Sequence, residues 1–236
     1  MKNNKILKGF IELKRLPASC FVDPKLVFIY KSRQNKVIEF LKNIGYQEIH
    51  TPLFVPKKFF SQSENISTKW LITAFSGKNK RANFYLRPFI GFQGAIPFVS
   101  TNIQSYRQLP LYLIERAPLY GNFPPKWNLI ENSKEDYLGL QGVLISDKKK
   151  INQLINQINS LFGFLEIDGI RKKQEDFWGI KTVSFYWKRI FICACFNLEN
   201  TIGKTSNICY LNKNQQSRPI FWQSFYLSQN LIFLLS

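Results

Sequence analysis

Apolar residues recur at spacings of three and four along Ser32 to Ile44, where Val37, Ile38, Leu41 and Ile44 are interleaved with Lys36, Glu39, Lys42 and Asn43. That period gathers the apolar set on one face of a helix and the charges on the other. Gly45 comes next, at the point where a helix end favours a residue free to take positive φ. The run from Tyr46 to Pro52 alternates and is closed by proline, which predicts a short strand leading into a loop. A second helix is predicted over Lys148 to Phe162, with Ile151, Leu154, Ile155, Ile158 and Leu161 sharing one face and Gly163 near its end.

Short apolar runs edged by turn residues predict strands at Phe84 to Arg87, Leu111 to Arg116, Val143 to Ser146, Thr182 to Tyr186, Arg189 to Asn197 and Ile208 to Leu211. Gln223 to Leu235 is apolar throughout, and periodicity does not separate helix from strand there. Helix, strands, helix, strands and a closing apolar segment predict an α+β fold, a largely antiparallel sheet flanked by helices. No repeat or Gly/Ser-rich linker interrupts the chain, so residues 1–236 are expected to form a single domain.

Composition adds a partner class. The chain has 236 residues, 33 Lys and Arg against 15 Asp and Glu, a formal net charge of +18 and 45% apolar residues. It carries too much apolar surface to stay disordered. The excess of cations fits a polyanion such as tRNA or another RNA. Drift towards AT-rich codons also supplies lysines, but it leaves the scarcity of acids unexplained. The clusters Lys57-Lys58, Lys78-Asn79-Lys80-Arg81, Lys148-Lys149-Lys150 and Arg171-Lys172-Lys173 read singly as solvated loop charge. Together, beside Phe59, Phe60, Phe84 and Trp178, they form the candidate surface for RNA phosphates.

Met1 to Lys8 is polar and Pro17 interrupts the stretch after it, so no secretory leader is read. The apolar runs are too short to span a bilayer. A cytoplasmic location, or the interior of an organelle or endosymbiont, is expected. Four cysteines are too sparse for a disulfide scaffold, and His50 alone cannot complete a metal site. Cys193 and Cys195, two apart on a predicted strand, share a face and read as buried core. Gly203-Lys204-Thr205 lacks the upstream glycine of a phosphate loop, and no GxGxxG occurs.

Longer strings carry a resemblance. Pro17-Ala18-Ser19-Cys20-Phe21 to Lys31 is followed by Val37 to Pro52, Tyr85-Leu86-Arg87-Pro88 and Ser105-Tyr106-Arg107-Gln108-Leu109-Pro110-Leu111. Leu161-Phe162-Gly163-Phe164, Phe177-Trp178-Gly179, Phe185-Tyr186 and Arg218-Pro219-Ile220-Phe221 continue in order. In this series the chain resembles the catalytic domain of class II aminoacyl-tRNA synthetases, threonyl-tRNA synthetase above all. The resemblance implies an antiparallel sheet flanked by helices that holds ATP, with its Mg, the amino acid and the tRNA 3′ end. It implies attack of the amino-acid carboxylate on the α-phosphate, then transfer of the aminoacyl group to the tRNA ribose. It also implies pairing of two copies through residues 33–52. Neither an editing nor an anticodon-binding domain is expected.

Carried over position by position, the same resemblance implies losses. The arginine that holds the α-phosphate and the glutamate that accepts the adenine amino group fall on Gly121 and Phe123. A pair of arginines falls on Ser133 and Glu135, and the arginine of the third motif on Ile232. The zinc ligands of threonyl enzymes fall near Gly91 and on Val143 and Gln223, none of which binds zinc. Arg87 and Arg107 are the basic residues that survive inside family strings, as braces for a carbonyl or acid, or as contacts to a ligand. Tyr186 and Arg189 lie in the stretch that resembles the substrate-facing strand, where Trp187 replaces a usual glycine and either fills substrate space or packs in the core. The expectation is a degenerate threonyl-tRNA synthetase-like protein of translation that binds tRNA and has lost adenylation and zinc. The alternatives are a residual threonine-tRNA ligase, slow or helped by a partner chain, and a structural RNA- or protein-binding accessory subunit of a ribosome or polymerase.

Overall fold

The computed structural model describes residues 10–12, 20–22, 24–57, 71–74, 84–88, 92–121, 127, 135–136, 138–177 and 179–235. The first half of the chain forms β1 (Phe10–Glu12), β2 (Cys20–Val22), α1 (Pro24–Asn43), β3 (Gln47–Glu48), β4 (Phe54–Pro56), β5 (Thr73–Ala74), β6 (Phe84–Leu86), α2 (Ile96–Asn102), β7 (Leu111–Arg116) and β8 (Leu119–Tyr120). The second half forms β9 (Glu135–Asp136), β10 (Leu140–Ser146), α3 (Ile151–Phe164), β11 (Ile170–Phe177), β12 (Ile180–Trp187), β13 (Ile190–Asn197), α4 (Thr201–Thr205), β14 (Cys209–Leu211), β15 (Ser217–Pro219), β16 (Phe221–Leu227) and α5 (Gln229–Leu234). A seven-stranded sheet runs β11-β12-β13-β16-β10-β7-β3. Its pairs are antiparallel except for β3 and β7, which run parallel.

Burial explains why the middle of this sheet lost its alternation. All seven residues of β10 are buried, as are Phe191 to Asn197 of β13. A strand covered on both faces has no polar side to display. One cover is helical: α1, α3 and α5 pack Val37, Leu41, Leu154, Ile158 and Leu231 against Leu144, Phe185, Cys193, Cys195 and Phe225. The opposite face, called the open face because no long helix among the described residues crosses it, has its own core of Phe92, Val99, Trp127, Val143, Phe191, Phe196, Trp222 and Tyr226. The two cysteines are thus on one face, as their spacing predicts.

The structure moves several expected boundaries. Helix α1 starts eight residues before Ser32, with Pro24 at its first position, where the missing N–H costs nothing. The helical period is hard to see there because Phe28 is 82% exposed and Ile29 42% exposed on what would be a polar face. Gly45 takes φ 104°, and Tyr46 N–H donates to Leu41 O at 3.0 Å, closing the helix. The strand expected over Tyr46 to Pro52 is confined to Gln47–Glu48, and His50 is exposed beyond it. Gln223 to Leu235 is neither one helix nor one strand. Strand β16 ends at Leu227, Ser228 caps the following helix by accepting from Asn230 N at 3.2 Å, and α5 begins.

Arg171-Lys172-Lys173 lies on the edge strand β11, paired to β12, and is not loop charge. Charged residues are tolerated because only one strand partner and little packing surround them. No helix among the described residues is long and apolar enough to cross a membrane.

Candidate functional site

The open face is built by period-two alternation. Strand β16 sends Trp222, Ser224 and Tyr226 to it, β10 sends Gln141, Val143 and Ile145, and β7 sends Leu113 and Glu115. Trp127 lies flat on Phe191, with ring centroids 3.8 Å apart and planes 6° from parallel. Tyr226 stacks beside both, at 6.3 Å from Trp127 and 6.0 Å from Phe191. Asn230 fixes the pair from below, donating to Trp127 O at 2.9 Å and Phe191 O at 2.7 Å. The centre of this face is therefore occupied by the protein's own rings.

Polar chemistry survives at its margins. Glu115, fully buried, accepts from Thr51 N, from Thr51 Oγ1 at 2.8 Å and from Gln141 Nε2 at 2.9 Å. Arg87 Nε stands 3.6 Å from the same carboxylate, while its Nη2 donates to Thr51 O and its Nη1 to Pro118 O at 3.5 Å. Nη1 and Nη2 are hydrogen-bonded within the protein, and Nε, which has no hydrogen bond, lies within ion-pair distance of Glu115, so Arg87 acts as a brace between the β3–β4 connection, β7 and the β7–β8 turn. Gln141 Oε1, Ser224 Oγ and both amide atoms of Gln93 are buried without a hydrogen-bond partner in the protein, the sort of polarity that a bound water or ligand satisfies.

Near the edge, Glu175 binds Lys173 Nζ at 2.5 Å, Ser184 Oγ at 2.8 Å and Tyr186 OH at 3.4 Å. Partial burial works to raise its pKa, but these hydrogen bonds and the Lys173 charge outweigh it and hold the carboxyl below its ordinary range. Partial burial and that carboxylate push the Tyr186 phenol up. Tyr186 thus faces the open side, edge-on to Phe191 at 5.8 Å. Its neighbour Trp187 points the other way and packs with the helical core, so it removes no space from the open face. Arg189 is in the β12–β13 turn at φ 73°, exposed, and not on a substrate-facing strand.

The other expected positions separate in the same way. Gly121 is buried just after β8, and Ile232 lies in α5 within the helical core. Phe123, Ser133, Gly91, Lys78, Lys80 and Arg81 lie outside the described residues. Val143 faces the open side, whereas Gln223 alternates with Trp222 onto the helical side and meets Ser146 Oγ at 3.3 Å. The residue that pairs with Val143 across β10 and β16 is Ser224. A hydrocarbon, a hydroxyl and an amide aimed at the far face do not make a zinc site. Lys148, Lys149 and Lys150 are near one another before α3, and Lys149 is paired with Glu199 at 3.1 Å.

Two acids of consequence escaped the sequence reading. Glu115 was visible as a lone carboxylate in the apolar run Leu111 to Arg116, at an inward position. Asp136 had no such signal. It is buried, and accepts from Tyr226 OH, Gln229 N at 2.9 Å, Leu138 N at 3.1 Å and Gly139 N at 2.5 Å. Desolvation outweighs these four donors and pushes its pKa up to about 6.

A last feature involves Arg107, which the sequence singled out. Ser105 caps the turn Tyr106–Gln108 in a reciprocal capping box and bridges to Leu211 of β14. Arg107 and Lys213 stand 6.0 Å and 5.9 Å from the Tyr106 ring centroid. A hydrogen bond from Arg107, joined by the charges of both cations, holds the Tyr106 phenol below its usual range.

Known proteins share this arrangement. Prolyl-tRNA synthetase from Giardia lamblia, solved with prolyl-adenylate, superposes with a TM-score of 0.78 over 97% of this chain and 50% of that one, at 13% identity. The fold is class II aminoacyl-tRNA synthetase-like. The Cryptosporidium parvum prolyl-tRNA synthetase, solved with halofuginone and AMPPNP, gives 0.75 over 97% of this chain and 50% of that one, at 18% identity. In sequence, the threonine–tRNA ligase of Halorhodospira halophila is 26% identical over 111 residues, 46% of this chain and 17% of the ligase. No protein-family model matches. The synthetase-like domain spans about half the length of the solved synthetases and its match covers a smaller share of the ligase.

Proposed function

We propose that this protein is a synthetase-like RNA-binding protein of translation in which amino-acid adenylation has been lost. One observation carries the reading: the Trp127–Phe191–Tyr226 stack fills the centre of the open face. Adenylation gathers negative charge in its transition state and needs fixed cations and oriented donors. One of the two basic groups inside family strings, Arg87, is spent on Glu115 and on two backbone carbonyls. The likeness to threonine–tRNA ligase and the net charge of +18 support RNA, tRNA first, as the partner.

ATP–pyrophosphate exchange tests the loss, run with threonine and with proline because relatives of both kinds share the fold. No exchange above background is expected with either. Robust exchange with either amino acid overturns the reading, and exchange that appears only with an added partner chain favours the residual-ligase alternative. RNA captured by the full chain and sequenced is expected to be enriched in tRNA. Enrichment of ribosomal RNA instead favours an accessory subunit.

A further inference from the structure

No Asp or Glu occurs between Glu64 and Glu115, and none follows Glu199. The fold brings these two acid-free stretches together at one place, where Leu211 N donates to Gln104 O at 2.9 Å and Ser105 bridges to Leu211. A cavity of about 410 Å³ opens there, lined by Ser105, Tyr106, Arg107, Leu211, Asn212 and Lys213 among others. Among the described residues neither cation is paired with an acid, although other exposed cations of the chain, such as Lys149 and Lys173, are. The half-buried Tyr106 ring is held against the open-face core and flanked by both.

We propose that this cavity is a subsite for an unpaired nucleotide of RNA, with the base against Tyr106 and the phosphate between Arg107 and Lys213. Two cations without an acid partner select an anion, and an aromatic ring between them selects an anion that carries a flat base. An acidic peptide engages the cations and leaves the ring unused. The Asn212 amide is used within its own turn, but the Ser105 hydroxyl, which accepts from Arg107 N at 3.4 Å, keeps its hydrogen to donate to sugar or base edge. The site rests on the RNA-binding reading above and names where that binding has a nucleotide-sized contact.

The test is fluorescence anisotropy of the full chain with a short labelled single-stranded RNA and with a duplex of equal length, over a salt series. Arg107→Gln and Lys213→Gln change exposed side chains, and unchanged thermal melts verify that they fold. Each is expected to lower the slope of log affinity against log salt by about 0.7 for the single strand. Tyr106→Leu keeps apolar bulk and is expected to weaken single-strand binding about tenfold while leaving duplex binding alone. Wild-type RNA binding with all three variants unchanged overturns the subsite and spares the RNA-binding reading. Polyglutamate that displaces the single strand as well as RNA does, with Tyr106→Leu silent, overturns it in favour of an acidic peptide. Failure of the wild type to bind any RNA overturns both.

Discussion

Trp127 and Phe191 stack face to face, 3.8 Å between centroids, over the middle of a sheet that is buried on both sides. The contact joins a single indole from the β8–β9 connection to β13, and Asn230 reaches both backbones. Trp127→Ala is expected to lower unfolding free energy by about 3–5 kcal/mol, read from urea or guanidinium curves. A loss under about 1 kcal/mol would mean that the stack is not what closes the face.

Arg87 and Glu115 depend on one another. Arg87→Met leaves a fully buried carboxylate without its cation, at an expected cost of about 3–5 kcal/mol. Arg87→Met with Glu115→Gln is expected to cost clearly less than the two single changes summed. Chemical denaturation of all four proteins measures that coupling, and strict additivity would rule out the brace.

Asp136 ties stability to pH. Its folded pKa of about 6 lies above the ordinary 3.8, so between those values the folded chain binds the proton more tightly than the unfolded one. Its contribution is therefore most favourable at low pH and is lost as pH rises through 6, a change of about 3 kcal/mol at full extent. Asp136→Asn removes that slope and sets an amide hydrogen against Gln229 N–H, so it is expected to destabilise by about 1–3 kcal/mol even at acid pH. Melting temperatures of both proteins from pH 4 to 7 check this: the advantage of the wild type over the variant must fall steadily as pH rises, through zero where it starts small.

Two glycines are expected to respond in opposite directions to alanine. A methyl on Gly142 in β10 would meet the Phe225 ring and, at 3.0 Å, Leu113 O, so Gly142→Ala is expected to cost about 1–3 kcal/mol. A methyl on Gly163, exposed in the last turn of α3, meets nothing within 4 Å, and Gly163→Ala is expected to stabilise by about 0.5–1 kcal/mol. Thermal melts distinguish the two signs.

Where one face of an element is wet, its identity could be read beforehand. Val37, Ile38 and Leu41 disclosed α1, and Leu154, Ile158 and Leu161 disclosed α3, while the run Leu111 to Arg116, though covered on both faces, matched β7 end to end because its edges are marked by prolines. Elements at the extremes of burial were harder. Strand β11 was hidden by its cations, because an edge strand needs little apolar surface. The division of Gln223 to Leu235 into β16 and α5 was hidden by uniform burial and turns on the Ser228 cap. The site suffered most from face assignment. Gln223 and Ser224 differ by one step along the chain and by the whole thickness of the sheet in where they point. Arg87 was expected either as a brace or as a ligand contact, and its partner Glu115 becomes visible only when β7 is set beside Thr51 and Gln141.

Strand β16 sits between β13 and β10 in the middle of the sheet, yet among the described strands it comes after both of them in sequence. During synthesis its two neighbours leave the ribosome first, each with a bare row of backbone donors and acceptors and side chains such as Ile190 to Phe196 still uncovered. The sheet cannot close until residues up to Leu227 have emerged, so β10 and β13 wait unpaired on those edges while the intervening chain is made.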